Sequence, residues 1–318
     1  MRLDDWFRQA SDAGGRVMQA AGPSGRWRSV AMLLLVAAAF GANHVAARLA
    51  FDHGTSVSFA VAVRSGVTAL ALLALLRVAR APLRLPAPTL MRALVVGALV
   101  SVQSYCLYSA VARIPVALAL LAFNTLPVML GLMSWITGGE RPTPRTWVAM
   151  PVALAGLAIA LDAFGWVPRS STSAGSGALG AGVAFALAAS VSMAAALLLT
   201  TRWLGAVDGR LRTAILMSVV TAVTLAGGAA SGGFALPADG IGWLGLAALT
   251  VLYGTAITAL FTLLPRLGPV NNAAIMNFEP VAALALGWLV LDQRIAASQI
   301  AGGLIVIAAI VVLTGGRR

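Results

Sequence analysis

Ten apolar runs, at about residues 30–50, 57–79, 90–112, 115–137, 145–167, 178–201, 211–230, 241–264, 268–291 and 296–314, take up most of this 318-residue chain. A helix of roughly 20 apolar residues spans the hydrocarbon of a bilayer, so each run reads as one membrane crossing. The separators at 52–56, 113–114 and 292–295 are too short to hold a folded domain. Only 10% of the residues are charged and 60% are hydrophobic, against roughly 25% charged in a soluble domain. The expected fold class is an all-α polytopic membrane protein with ten transmembrane helices.

The longest polar separator, 168–177, is Ser/Gly-rich, the composition of a flexible linker. It divides the runs into two sets of five that resemble each other. At a constant offset of 153 residues, Arg113 matches Arg266, Asn124 matches Asn277, Pro127 matches Pro280, Trp135 matches Trp288 and Arg141 matches Arg294. Ser65 and Thr68 match Ser218 and Thr221 at the same offset. Alanine or leucine coincidences would carry no weight in so apolar a chain, but Asn, Pro, Trp and Arg are scarce in membrane spans.

Because five is odd, the second set must enter the bilayer from the opposite side, which makes the sets inverted repeats. The expected organisation is a tail (1–29), a first five-helix repeat (30–167), a linker (168–177), a second repeat (178–314) and a short C-terminus (315–318). Cytoplasmic segments carry the excess of basic residues. With the N-terminus inside, cytoplasmic segments hold 17 arginines and external ones only Arg113, Arg169 and Arg294, while Arg48 and Arg64 lie within spans. Both termini are expected in the cytoplasm. The tail has no apolar core of signal-peptide length.

All 22 basic residues are arginine, so a Walker A loop, which requires a lysine on the phosphates, is absent. The net charge of +12 does not make a nucleic-acid surface, because the arginines sit mostly in gaps between apolar runs. A single cysteine, Cys106, forms no intrachain disulfide, and two histidines build no Cys/His zinc cluster. Gly22-Pro23-Ser24-Gly25 resembles a serine-hydrolase string but lies in the polar tail, whereas that chemistry needs a positioned base. Neither an enzyme, a metal nor a cofactor is expected.

Several strings resemble those of EamA-type transporters in the drug/metabolite transporter superfamily. Ala39-Phe40-Gly41-Ala42-Asn43-His44-Val45-Ala46 is similar to that family's first-span Trp-Gly-x-Asn-x-Val pattern, and Arg64 occupies the place of its second-span arginine. Gly139-Glu140-Arg141 resembles the string closing the fourth span. Phe278-Glu279-Pro280-Val281 and Leu291-Asp292-Gln293-Arg294 resemble its Glu-Pro-Val and a weakened Gly-Glu-Arg in the second copy. Phe40 in place of tryptophan and His44 after the asparagine are departures at positions that could touch substrate preference. The resemblance implies two EamA repeats and a secondary transporter of small organic metabolites in a bacterial-type inner membrane, some relatives exporting amino acids and others importing vitamins such as riboflavin.

Charges near the bilayer centre are costly, about 2.5 to 3.5 kcal/mol on insertion scales, so they need a partner or water. At ~1.5 Å per residue, Glu279 lies about 16 Å beyond Gly268, near the middle of a ~30 Å core, and Arg64 about 10 Å from the outer face, so the two depths nearly coincide. The two are expected to face one central cavity, Arg64 attracting an anionic group and Glu279 a candidate for proton coupling; a structural ion pair between helices is the competing reading. Pro127 and Pro280 remove a backbone donor and are candidates for helix breaks beside a substrate site, where Asn124 and Asn277, three residues before them, are candidates to bind substrate; the competing reading is a simple bend with the asparagine satisfying the freed backbone. Asn43, His44, Gln103, Tyr105, Tyr108, Ser190 and Tyr253 are further candidates to line that site, with Ser192 nearby; the tyrosines could instead form an interfacial belt. Arg48 is expected to snorkel to headgroups.

The expected function is secondary-active transport by alternating access, with export of an amino acid or related metabolite by proton exchange ahead of vitamin uptake. A passive channel and a membrane scaffold or sensor are the rival classes. The expected partners are a small-molecule substrate and membrane lipids, with no nucleic acid; a homodimer stays open.

Overall fold

The computed structural model describes residues 23–81, 83–138, 148, 151–152, 155–156, 159, 176–267, 278–293 and 297–315. The tail up to residue 22, most of the fifth run, most of the linker, Glu140, Arg141, Asn277 and Arg294 lie outside the described residues.

All regular structure among the described residues is helical. In chain order it comprises α1 (Pro23–Asp52), α2 (Val57–Val78), α3 (Ala87–Val111), α4 (Val116–Phe123), α5 (Leu126–Ile136), α6 (Ser176–Trp203), α7 (Gly209–Ala230), α8 (Gly240–Leu267), α9 (Phe278–Leu291) and α10 (Ala297–Gly315). Among the described residues, seven helical stretches are long and apolar enough to cross a membrane, with α4 and α5 together making one of them. Helix α1 begins with proline, whose fixed φ suits a first turn, and starts seven residues before the expected first run.

Local sequence explains the element ends. The Ser56 hydroxyl accepts from Phe59 N at the start of α2, and the Asp208 carboxylate accepts from Arg210 N and Leu211 N at the start of α7. Both occupy the donors that a helix N-terminus leaves unpaired. The fourth run is not one continuous helix: α4 ends at Phe123, Asn124 caps it, and Pro127 falls in the first turn of α5. Proline cannot donate to the preceding turn but is tolerated in a first turn, so the chain breaks just before it.

The halves interleave rather than stand side by side. The most extensive packing joins α3 to α6, α8 to α1, and α2 to α7. Exchanging the two sets of runs turns α3–α6 into α8–α1 and leaves α2–α7 unchanged. The packing of α3 on α7 is matched by α8 on α2, and that of α4 and α5 on α6 by α9 on α1. The duplication seen along the chain is therefore repeated in its contacts.

A core rich in alanine, valine and leucine fills the centre, including Val61, Val96, Val111, Leu120, Ala189, Val220 and Leu249. Leu35, Leu70, Trp288 and Leu289 are exposed on the perimeter, as expected where lipid replaces water as solvent. Small residues let helices approach closely. A Cβ on Gly245 of α8 would lie 2.9 Å from Ala50 N of α1, and one on Gly41 of α1 would lie 2.8 Å from the Glu279 carbonyl oxygen of α9.

Candidate functional site

The polar residues of α1, α2 and α3 converge because each lies on an inward helical face. On α3, Ser101, Ser104 and Tyr108 share one face and are buried, while Val102 and Tyr105 point outward. Tyr105 is 42% exposed, so the structure does not bring it to the others; one residue of helical rotation separates it from Ser104. Tyr108 is fully buried, with its hydroxyl 3.0 Å from Asn43 Nδ2 and 3.1 Å from Asn43 Oδ1. Asn43 has no exposed surface, and this pairing satisfies part of an amide that would otherwise be costly to bury.

Arg64 of α2 lies against the same tyrosine. Its guanidinium carbon is 4.7 Å from the Tyr108 ring centroid and 3.7 Å from that of Tyr253 on α8. Its Nη2 donates to the Ser104 hydroxyl at 3.2 Å, and Ser104 in turn donates to Gln103 Oε1 at 3.3 Å. Arg64 is only 3% exposed, so the ring faces replace the water that a guanidinium would otherwise hold, an attraction that strengthens with desolvation. Phe40 of α1 meets Tyr253 edge-on at 6.2 Å.

His44 follows Asn43 on α1, with its ring 5.5 Å from that of Tyr108. Its Nε2 lies 3.2 Å from Glu279 Oε1 on α9. His44 side-chain exposure is 7% and that of Glu279 is 23%, so this contact is mostly out of solvent. Among the described residues, Arg64 Nε and His44 Nδ1 are buried nitrogen atoms with no hydrogen-bond partner. One is an obligate donor. The other is an acceptor when Nε2 carries the proton towards Glu279.

The cluster thus draws α1, α2 and α3 of the first half against α8 and α9 of the second. It gathers Asn43, His44, Arg64, Gln103, Tyr108, Tyr253 and Glu279. The immediate partner of Glu279 is His44, and that of Arg64 is the Ser104 hydroxyl with two aromatic faces. Ser104, not among the sequence candidates, stands four residues before Tyr108 and shares its buried face.

Ser190, also without exposed surface, lies elsewhere. Its hydroxyl is 3.0 Å from that of Thr125, at the contact of α6 with the break between α4 and α5. Under exchange of the halves this contact is the mate of α1 on α9. A hydroxyl pair therefore occupies one side, and His44 with Glu279 the other. Ser192 donates to the Leu99 carbonyl at 2.8 Å. Asn124 is half-buried at the break. Pro280 lies in the first turn of α9.

Arg48 is held at both ends of its guanidinium. It pairs with Asp52 at 2.9 Å and donates from Nη1 to the carbonyls of Val111 and Ile114 at 3.1 and 3.2 Å. It thereby satisfies carbonyls at the C-terminal end of α3, where a cation is favoured.

The sequence matches the EamA-like transporter family over residues 27–161 and again over 180–315. The chain belongs to that family. An EamA-like transporter is a membrane protein of the drug/metabolite transporter superfamily, and the two matches correspond to its two repeats. This EamA-like chain also superposes on a solved crystal structure described only as "Crystal structure of protein", with a TM-score of 0.60 and 18% identity, covering 88% of this chain and 98% of that one. At that identity the likeness speaks for the fold. No curated protein matches the chain.

Proposed function

We propose that this protein is a secondary-active carrier that works by alternating access and exports amino acids or related metabolites in exchange for protons. The observation that carries this reading is the bipolar cluster at the junction of the halves, with Arg64 and the His44–Glu279 pair both set around the Tyr108 ring. A solute with a carboxylate and an ammonium group complements both ends. Arg64 Nε supplies an unused donor for the carboxylate, and His44 Nδ1 with Glu279 supplies acceptors for the ammonium.

In this reading Glu279 is the coupling group. Deprotonated, it accepts from His44 and attracts a cationic group; protonated, it loses that attraction, so proton and solute compete for one place. Asn43, Gln103 and Tyr108 fix the polar groups, and Tyr253 and Phe40 form the aromatic side. Asn124, Ser190 and Asn277 are further groups that contact the solute in this reading, with Pro127 and Pro280 as the helix breaks beside them. The carrier would sit in a bacterial-type inner membrane with both termini cytoplasmic and without ATP hydrolysis.

The rings of Tyr108, Tyr253 and Phe40 favour a second reading, uptake of a planar vitamin such as a flavin. A metabolite screen in proteoliposomes of known orientation, run with and without a pH gradient, separates the two. The first reading predicts saturable amino-acid flux driven by the gradient. Flavin accumulation without amino-acid flux would replace it, and flux that neither saturates nor exchanges would indicate a channel.

A further inference from the structure

Helices α1, α8 and α9 pack together as one group, and α3, α4, α5 and α6 as another. Each group mixes the two halves of the chain. They are joined through α2, which packs on α8, and α7, which packs on α3 and on α2. Among the described residues the direct packing of one group on the other is slight by comparison, α9 on α4 and α1 on α3 and α4. Two side chains of the first group converge on one point of the second, the turn between α3 and α4.

That turn is anchored in its own group. Ile114 is fully buried against Gly182 of α6, and the Arg113 guanidinium lies over the Phe185 ring of α6 at 4.7 Å. Its sequence leaves three backbone groups without helical partners. Pro115 has no N–H to offer the Val111 carbonyl four residues before it. The Ile114 carbonyl stands outside both helices, and Val116 N opens α4, where the first N–H groups of a helix are unpaired.

Both side chains end on those groups. Arg48 of α1, one turn beyond His44, donates from Nη1 to the Val111 and Ile114 carbonyls at 3.1 and 3.2 Å. Gln293, two residues beyond α9, accepts from Val116 N through Oε1 at 3.3 Å. Its own place is fixed, since Asp292 takes a φ of 49° and Gln293 N donates back to the Gly287 carbonyl at 3.2 Å. The clasp thus ties α1 and α9 to the far group on the side of the cluster where Phe51 meets the Tyr108 ring edge-on at 6.1 Å.

The clasp can release without stranding a charge. Arg48 keeps Asp52, whose two oxygens accept from Nε at 2.9 and 3.0 Å, and water that enters as the groups part takes up the freed backbone groups. The duplication gives the other end no copy. At the offset of 153 residues Thr201 stands for Arg48, and its hydroxyl donates to the Leu198 carbonyl of its own helix at 2.8 Å. Pro269, which has no N–H, stands for Val116.

We propose that Arg48 and Gln293 are a gate at this end, the outer one in the orientation proposed above. They hold the α3–α4 turn in the closed state and release it when the two groups separate to open the cluster to that side. The inference rests on the alternating-access reading. The two residues act on the state of the carrier and do not touch the solute.

The test uses the full chain with Cys106→Ser in proteoliposomes and reads distances between pairs of spin labels by pulsed electron resonance. Gly180→Cys in α6 with Leu236→Cys just before α8 spans this end, and Met32→Cys in α1 with Ile136→Cys in α5 spans the other. Leu236, Met32 and Ile136 are exposed, and a side chain on Gly180 meets nothing within 4 Å. Under alternating access each pair shows a short and a long population, with complementary weights at the two ends. Gln293→Ala removes one bond and should raise the long-to-short ratio at this end roughly two- to tenfold, the range for one net hydrogen bond, and lower it at the other. Gln293→Glu keeps the acceptor and places a negative charge at the N-terminus of α4, so it should move both ratios the opposite way by roughly two- to fivefold. Arg48→Gln with Gln293→Ala should open this end further than Gln293→Ala alone. Ratios that are complementary in the native sequence but unmoved by all three variants, or moved alike by Gln293→Ala and Gln293→Glu, would overturn the gate and leave alternating access standing. Populations that are not complementary at the two ends would remove that reading, and the gate with it.

Discussion

His44 Nε2 on α1 lies 3.2 Å from Glu279 Oε1 on α9, so an imidazole of the first half and a carboxylate of the second meet at the seam between the halves. Each residue would be costly alone in lipid. Together with the Tyr108 ring they form one end of the bipolar cluster.

Glu279→Gln keeps the size of the side chain and a hydrogen bond to His44 but removes the charge. In proteoliposomes it should abolish the dependence of flux on a pH gradient while leaving solute exchange measurable, and it should lower thermal stability by about 1 kcal/mol, the margin of a charge-assisted over a neutral hydrogen bond. Retention of full gradient-driven transport would remove Glu279 from coupling.

Arg64→Lys keeps the charge and loses the flat guanidinium. The Tyr253 centroid 3.7 Å away and the Tyr108 centroid 4.7 Å away are contacts that an ammonium serves less well. Affinity for carboxylate-bearing solutes should fall roughly tenfold, the equivalent of one desolvated cation–π contact. Binding of solutes without a carboxylate should change less. Equal losses for both classes would assign Arg64 to packing.

The apolar runs and the 153-residue repeat made the helical fold and its duplication readable, because both are patterns of many residues. Depth along the runs likewise put Arg64 and Glu279 at neighbouring levels. It could not say which side chains each would touch, since that depends on helix rotation and crossing. One residue of rotation separates buried Ser104 from exposed Tyr105, and the nearest partner of Glu279 proved to be His44. Arg48 shows the same limit. Its place near a span end is legible in the sequence, but its bonds to the carbonyls of Val111 and Ile114, distant in sequence, are not.

Gly41→Ala tests whether the α1–α9 approach sets the His44–Glu279 contact. The new Cβ would lie 2.8 Å from the Glu279 carbonyl oxygen and 2.9 Å from Ala283 N, backbone atoms that cannot move aside alone. The helices must separate, at a cost of about 1–3 kcal/mol in thermal unfolding. Gly180→Ala in α6 meets nothing within 4 Å and should be neutral or stabilising by up to about 1 kcal/mol.

Tyr108→Phe leaves the fully buried Asn43 amide without its hydroxyl partner and should destabilise by about 1–3 kcal/mol. Asn43→Ala strands the hydroxyl in the same way. Because both substitutions break one interaction, the double variant should cost less than the sum of the two, by at least ~0.5 kcal/mol. Strict additivity would mean that the pair is not coupled.

Asp239, in the segment before α8, gives a pH dependence of its own. Its carboxyl is held below its ordinary value of 3.8, first by the Gly242 backbone N–H and then by the His53 side chain, whose Nδ1 lies 2.7 Å from Oδ2. A carboxyl lowered on folding favours the folded form fully above its unfolded value, and that contribution is lost as pH falls through the lower folded value. Acidification from pH 5 to below about 3.8 should therefore loosen the stitch between His53 and the start of α8. Hydrogen exchange at Gly242 N, corrected for the intrinsic pH dependence of exchange, reads this directly. Protection should decline over that window in the native chain, and Asp239→Asn should start with less protection and show little further change. A decline of equal size in the variant would place the titrating group elsewhere.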